Sequence, residues 1–169
     1  AEDLGIITKE VEKLRDKLGF PGMKVLQFAF DNDPNNHFLP HNFKSPLCIV
    51  YTGTHDNETT VGWYLGDTLT DDQRRTIKAL ANRTLHDENS IHRDLIYMAQ
   101  SSISKLCIFP LQDILGFGND CKMNSPGTAE GNWKWRCAKE FLNSEIADYM
   151  KTSTELFGRG RTSISKKQL

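Results

Sequence analysis

A surplus of charge is the first thing this 169-residue chain lacks. Its 21 Lys and Arg face 22 Asp and Glu, a formal net charge of −1. There is no field to draw in nucleic acid or an anionic membrane. Long apolar runs are missing too, and none approaches the ~20 residues of a membrane helix. A mean hydropathy of −0.51 with 38% hydrophobic residues describes a globular chain able to bury a core. Cysteine is sparse: Cys48, Cys107, Cys121 and Cys137, with no two at C-x-x-C spacing, so a zinc or redox pair is not expected. Cys48 and Cys107 lie in apolar runs, where a free thiol acts as a small hydrophobe. Arg159, Arg161, Lys166 and Lys167 make a short terminal basic stretch without interleaved aromatics, which argues against nucleic-acid binding. No short-period repeat and no leader peptide is legible. The chain opens inside a motif, so its natural start is expected upstream.

What is present is an alternation of strand-like and helix-like stretches. Ala1–Gly5 reads as the end of a strand. A helix is predicted over Lys9–Leu18, with Thr8 as N-cap, Glu10 and Glu12 near its positive end, and Val11, Leu14 and Leu18 on one face. Gly19 ends it and Pro21-Gly22 turns the chain. Met23–Phe30 is predicted as a strand buried on both sides, followed by a long loop, 31–44. Leu47–Tyr51 is the next strand, and a short helix through Trp63 and Tyr64 follows. The helix over Asp71–Arg83 has a Thr70/Gln73 capping box and an apolar face of Ile77, Leu80 and Ala81. Another, over Glu88–Ser101, aligns Ile91, Leu95, Met98 and Ala99. Lys105–Phe109 is a strand closed by Pro110, with a helical turn over Leu111–Leu115 and a loop over 116–131. A last helix, Ala138–Leu156, has Phe141, Leu142, Ile146, Tyr149 and Met150 as its core stripe. The residues from Gly158 on form a polar, frayed tail. The order implies an α/β fold with parallel pairing through right-handed crossovers. Four strand ends fit half of an eight-stranded (β/α) barrel or a small doubly wound sheet.

Polar clusters follow the apolar runs: Glu2-Asp3, Asp31 onward, His55-Asp56-Asn57 and Gln112-Asp113. The opposite loop ends carry little that looks chemical, which favours a working face built from the loops after the strands. The stretch Tyr51–Glu58, Y-T-G-T-H-D-N-E, is its centre. Gly53 permits a sharp turn at the strand end. Glu2 and Asp56 read as two carboxylates facing one substrate. Glu2 needs a partly apolar setting to donate a proton near neutral pH, and Phe28 is placed to wall it. Other readings stand beside this one. Glu2-Asp3 fits a solvated or helix-capping pair. His55, Asp56 and Glu58 fit a metal site whose remaining ligands lie elsewhere. Asp56 alone fits a cap on the following helix. Trp133 and Trp135 point oppositely if extended; burial or half-burial of both is expected, against one stacking on a sugar.

Five motifs carry a resemblance. A-E-D-L-G at 1–5, P-G-M-K-V-L-Q-F-A-F at 21–30, T-G-T-H-D-N at 52–57, P-L-Q-D at 110–113 and M-N-S-P-G-T-A-E-G-N-W-K-W-R at 123–136 resemble, in order, the 4-α-glucanotransferase (amylomaltase, disproportionating enzyme) family of the α-amylase-like superfamily. The resemblance spans about residues 1–150. It implies a (β/α)8 barrel that moves α-1,4-glucan segments between chains with retention, and without cofactor or metal. Glu2 would be the acid/base and Asp56 the transition-state stabiliser. His55, Asp3, Asn124 and the aromatic Phe28 would contact sugar. The family's nucleophile lies on a strand before the one ending in Glu2, so it is expected in a missing N-terminal half. Residues 1–157 would then be the C-terminal half of the barrel and 158–169 a tail. The implied partners are maltooligosaccharides, α-1,4-glucans and the missing half, in a cytoplasmic or plastid setting. The alternative is a glucan-binding fragment without catalysis.

Overall fold

The computed structural model describes residues 2–81 and 90–160. The loop expected at 82–87, with the last two residues of the helix expected to Arg83, the first two residues of the helix expected from Glu88, Ala1 and the tail beyond 160 lie outside the described residues. Three strands, β1 (Gly22–Val25), β2 (Cys48–Tyr51) and β3 (Leu106–Ile108), form one sheet in the order β1-β2-β3, parallel throughout. The parallel pairing expected from the alternation of elements is therefore observed, with Met23 opposite Ile49 and Tyr51 opposite Ile108. Six helices accompany it among the described residues: α1 (Lys9–Lys17), α2 (Thr60–Leu65), α3 (Asp71–Ala81), α4 (Ile91–Ser101), α5 (Leu111–Leu115) and α6 (Ser144–Leu156). None of them is long and apolar enough to cross a membrane.

The strand expected over Met23–Phe30 is cut short. After Val25 the chain tightens into a 3-10 turn over Leu26–Phe28, closed by Ala29 N–H to the Leu26 carbonyl at 2.9 Å. This turn swings Leu26, Ala29 and Phe30 into the core and leaves Phe28 outside it. The strand expected at the chain's start is not among the described elements. There the segment meets β1 through a side chain: the Asp3 carboxylate accepts the Met23 N–H at 2.7 Å.

One core cluster lies behind the sheet. It joins Cys48 and Val50 of β2 to Trp63 and Tyr64 of α2, Ile77 of α3, and Ile91, Leu95, Met98 and Ala99 of α4. The α4 stripe is the one its period predicts. The Thr70/Gln73 capping box is observed as well: Thr70 N–H donates to Gln73 Oε1 at 2.8 Å and Gln73 N–H to Thr70 Oγ1 at 3.3 Å. Leu80, however, stays exposed, because α3 turns only Ile77 and Ala81 inward.

One expected core face is bare and another is only half covered, with Ile146, Tyr149 and Met150 half-buried. Val11, Leu14 and Leu18 of the α1 region are exposed, and so are Phe141 and Leu142. No residue of α6 is fully buried. α6 also starts later than predicted, because the Asn143 side chain caps it by accepting the Ile146 N–H at 3.1 Å. Amphipathic spacing identifies a face that wants cover; α4 covers part of the α6 face, where Arg93 stacks over Tyr149 at 4.7 Å and Ser153 donates to Gln100 at 2.5 Å, while the α1 face stays open.

The segment after α6 is docked rather than frayed as far as Gly160. Arg159 donates to the carbonyls of Gln100, Ser102 and Ser104 at 2.7, 2.7 and 2.9 Å. One guanidinium thus satisfies three carbonyls at and just beyond the end of α4. Arg159→Ala is expected to cost about 2 kcal/mol in urea denaturation, and Arg159→Lys to recover only part of it, since an ammonium lacks the planar fork. A loss below ~0.5 kcal/mol would show that water replaces the clamp.

Candidate active site

The site grows from the end of β2. Thr52 is fully buried, and Gly53 follows where a Cβ would sit 2.7 Å from Gln27 Nε2. That amide is itself occupied, donating to the Glu58 carbonyl at 2.9 Å. A side chain at 53 would therefore displace the Gln27 amide that ties the 3-10 segment after β1 to Glu58. The turn beyond is closed by Asn57, whose Oδ1 accepts the Thr54 N–H at 2.9 Å and the Thr54 hydroxyl at 2.8 Å. These bonds set where His55 and Asp56 leave the backbone.

α2 starts directly afterwards, and its cap is Thr59, not Asp56. Thr59 Oγ1 accepts the Gly62 N–H at 3.1 Å, while Asn119 Oδ1 accepts the Thr59 N–H at 3.2 Å. Asn119 lies so close to Gly62 that any Cβ there would overlap it at 2.2 Å. The reading of Asp56 as a helix cap is thereby set aside. Asp56 is half-exposed instead.

Beneath the turn lies a buried carboxylate. Asp113 Oδ2 accepts the Thr52 hydroxyl at 2.5 Å, and Oδ1 accepts the Thr60 N–H at 2.7 Å. It joins the end of β2, the first residue of α2 and the α5 turn. Burial pushes its carboxyl above the usual carboxylate range, and the bonds from Thr52 and Thr60 pull it part of the way back.

A groove of about 810 Å³ opens on this edge, and Glu2, Phe28, His55, Asp56 and Trp133 line it. Asp56 Oδ1 accepts Asn124 Nδ2 at 2.6 Å and lies 3.3 Å from His55 Nε2. Phe28 is steadied by an edge-on contact with Phe38 at 5.6 Å, and Asn36 Nδ2 donates to the Phe28 carbonyl at 2.9 Å. The loop over 31–44 thus buttresses the aromatic wall. Asp3 does not line the groove. Its carboxylate pairs with the Arg15 guanidinium and accepts the Met23 N–H. Among the described residues no group of three His, Cys, Asp or Glu side chains converges as a metal would need.

Trp133 departs from the expected burial: it is 54% exposed. Its indole leans on the His55 ring at 5.0 Å and 38°. Trp135 is half-buried, edge-on to Phe117 at 6.3 Å. Gln27 and Asn119 are the positioning residues that the motif reading passed over. The nearest signal was the pair of small residues they pack against, Gly53 and Gly62.

Comparison with known proteins follows the same stretch. The family profile described as 4-alpha-glucanotransferase matches residues 1–142. The 4-alpha-glucanotransferase of Synechocystis sp. is 54% identical over 94% of this chain and 31% of its own length. That of Thermus thermophilus is 44% identical over 92% and 31%. The chloroplastic/amyloplastic enzyme of Arabidopsis thaliana is 45% identical over 94% and 27%. Among solved structures, the amylomaltase of Streptococcus agalactiae in complex with acarbose superposes with a TM-score of 0.88 at 35% identity, over 95% of this chain and 32% of that one. The chain thus spans about a third of the length of the curated relatives it matches.

The Asp113 anchor has a pH signature. A raised folded-state value means that the native state holds the proton longer than the unfolded chain. The contribution of Asp113 to stability is therefore fully present below the unfolded value of ~3.9 and is lost as pH rises through the folded one. Asp113→Asn cannot ionise, so this downward slope should vanish from urea denaturation followed between about pH 4 and 7. Asp113→Ala strands a buried hydroxyl and a buried N–H, at about 2–4 kcal/mol in total. An unchanged slope in the Asn variant would show that Asp113 does not titrate differently on folding.

Proposed function

The chain belongs to the 4-alpha-glucanotransferase family, and from there we propose that it is the C-terminal half of a (β/α)8 barrel that transfers α-1,4-glucan segments between maltooligosaccharides. Residues 1–157 form the half-barrel in this reading and 158–169 its tail. The missing half supplies the nucleophile. The observation that carries the reading is a common groove at the carboxyl end of a parallel sheet, shared by Glu2, Phe28, His55 and Asp56. Parallel barrels do their chemistry at that edge. The bare apolar face of the α1 region and the exposed Leu106 and Ile108 of β3 support a partner layer outside this chain.

The reaction is a retaining double displacement. Glu2 protonates the leaving 4-oxygen as the donor's glycosidic bond breaks, and the absent carboxylate takes the anomeric carbon. Glu2, now ionised, removes the proton from the 4-hydroxyl of an acceptor glucan, which displaces the enzyme and restores the α configuration. The two carboxylates should stand ~5–5.5 Å apart, as retaining chemistry requires. Asp56 accepts hydrogen bonds from ring hydroxyls that strengthen as the ring flattens toward the oxocarbenium ion. Asn124 and His55 hold Asp56 and reach neighbouring hydroxyls, and Phe28 offers an apolar wall. Asp3 serves as a brace, tying the Glu2 segment to α1 and β1. The compartment in this reading is the cytoplasm or a plastid.

The test is a maltotriose incubation with the full-length protein that carries this chain. A ladder of longer and shorter glucans should form. Glu2→Gln should lower its rate about 10²–10⁴-fold while saccharide binding persists in calorimetry; near-normal turnover would refute the assigned role. Binding in the native protein without any ladder would favour the glucan-binding alternative.

The half-barrel reading also has a physical consequence for the isolated chain. β1 and β3 each pair on one side only among the described residues, and unpaired edges beside apolar surface associate. Sedimentation should show concentration-dependent self-association, abolished when the preceding half is restored. A monomer at all concentrations with a cooperative melt would contradict it.

A further inference from the structure

Trp133 has a backbone that its own side chain disfavours. Its φ is +62°, in the left-handed region, where Asn32 is the only other described non-glycine residue. Its loop neighbours Gly127 and Gly131 take the same region as glycines, which is the ordinary solution. A bulky aromatic held there against its steric preference needs a reason beyond the local chain. Packing does not supply one, since the indole remains 54% exposed.

The loop is built to hold this conformation. Trp133 N–H donates to the Met123 carbonyl at 2.8 Å, and the Trp133 carbonyl accepts Arg136 Nη1 at 2.9 Å. Ser125 N–H donates to Asn132 Oδ1 at 2.8 Å, closing the loop from within. The same closed loop sends Asn124 to Asp56 and lays the indole against His55. Both contacts fall on the pair at the centre of the groove, and Trp133 lines that groove.

We propose that Trp133 is a sugar-binding residue of the groove, stacking on a glucosyl ring next to the one held by His55 and Asp56. A pyranose presents an apolar face of C–H bonds, and the indole presents an electron-rich face of matching size. A rigid, preorganised aromatic gains contact area at little entropic cost. Because it grips a neighbouring ring, the residue selects oligosaccharides over single sugars. The proposal rests on the glucan reading of the groove and names a recognition element within it.

The test uses the full-length protein labelled with 5-fluorotryptophan. The Trp133 fluorine resonance is assigned by its absence from Trp133→Phe. Maltoheptaose should shift that resonance, and glucose should shift it less. Trp133→Gly removes the indole while fitting the left-handed backbone, so the melting temperature should stay at or above that of the parent. KM for maltoheptaose should rise about tenfold, and by more than any fall in kcat. An unmoved resonance at saturating maltoheptaose, or a Gly variant whose KM changes less than about twofold, overturns the proposal. A Gly variant that melts lower with an unchanged KM assigns the residue to structure and overturns it as well. If the native protein makes no ladder yet the resonance shifts, the transferase reading fails and the stacking role stands.

Discussion

A single buried carboxylate holds this edge of the molecule together. Asp113 accepts a hydroxyl from the end of β2 and an N–H from the start of α2, which are the two ends of the turn that carries His55 and Asp56. Buried polar bonds of this kind specify position because water is not there to replace them. Were Asp113 unpaired, its burial would be costly. Paired twice, it makes the turn a fixed loop between two anchored ends. Gln27, tying the turn to the 3-10 segment after β1, and Asn119, holding the Thr59 cap of α2 from the loop after α5, complete the frame.

On that frame, three separate stretches of chain meet. The loop after β1 brings Phe28, backed by Phe38. The turn after β2 brings His55 and Asp56. The closed loop over 123–133 brings Asn124 and Trp133. All follow strands of one parallel sheet or the loops beyond them, where strand ends leave backbone free to build a cavity. The opposite surfaces are different in kind. The α1 face and the outer residues of β3 are apolar and exposed, unlike the face of β2 that the α2–α4 core covers. A sheet with one covered face and open edges is a surface made to be completed.

Much of this was legible in the residues. Periodicity alone located α4 and its buried stripe, the Thr70/Gln73 box located the start of α3, and the alternation of elements implied parallel strands. The five ordered motifs placed the chain in its family. Contacts between distant positions were not legible. Asn119 reaching Thr59 and Asp113 reaching Thr52 leave no local pattern, and Gly53 and Gly62 hint only that something approaches. The period also misled in α1 and at Phe141 and Leu142, which stay exposed: it reports that a face is apolar, not how much of it the rest of the chain meets.

Local chemistry, then, was settled along the chain: which segments pair or coil, which residues turn, and which carboxylates follow strands. Whether those carboxylates meet was decided in three dimensions. Glu2 and Asp3 are neighbours in the chain, yet one lines the groove and the other is spent on Arg15 and β1. Trp133 and Trp135 are equally close, yet one stands in the groove and the other packs on Phe117. Side chains on adjacent residues diverge, so sequence proximity assigns the neighbourhood and packing assigns the direction.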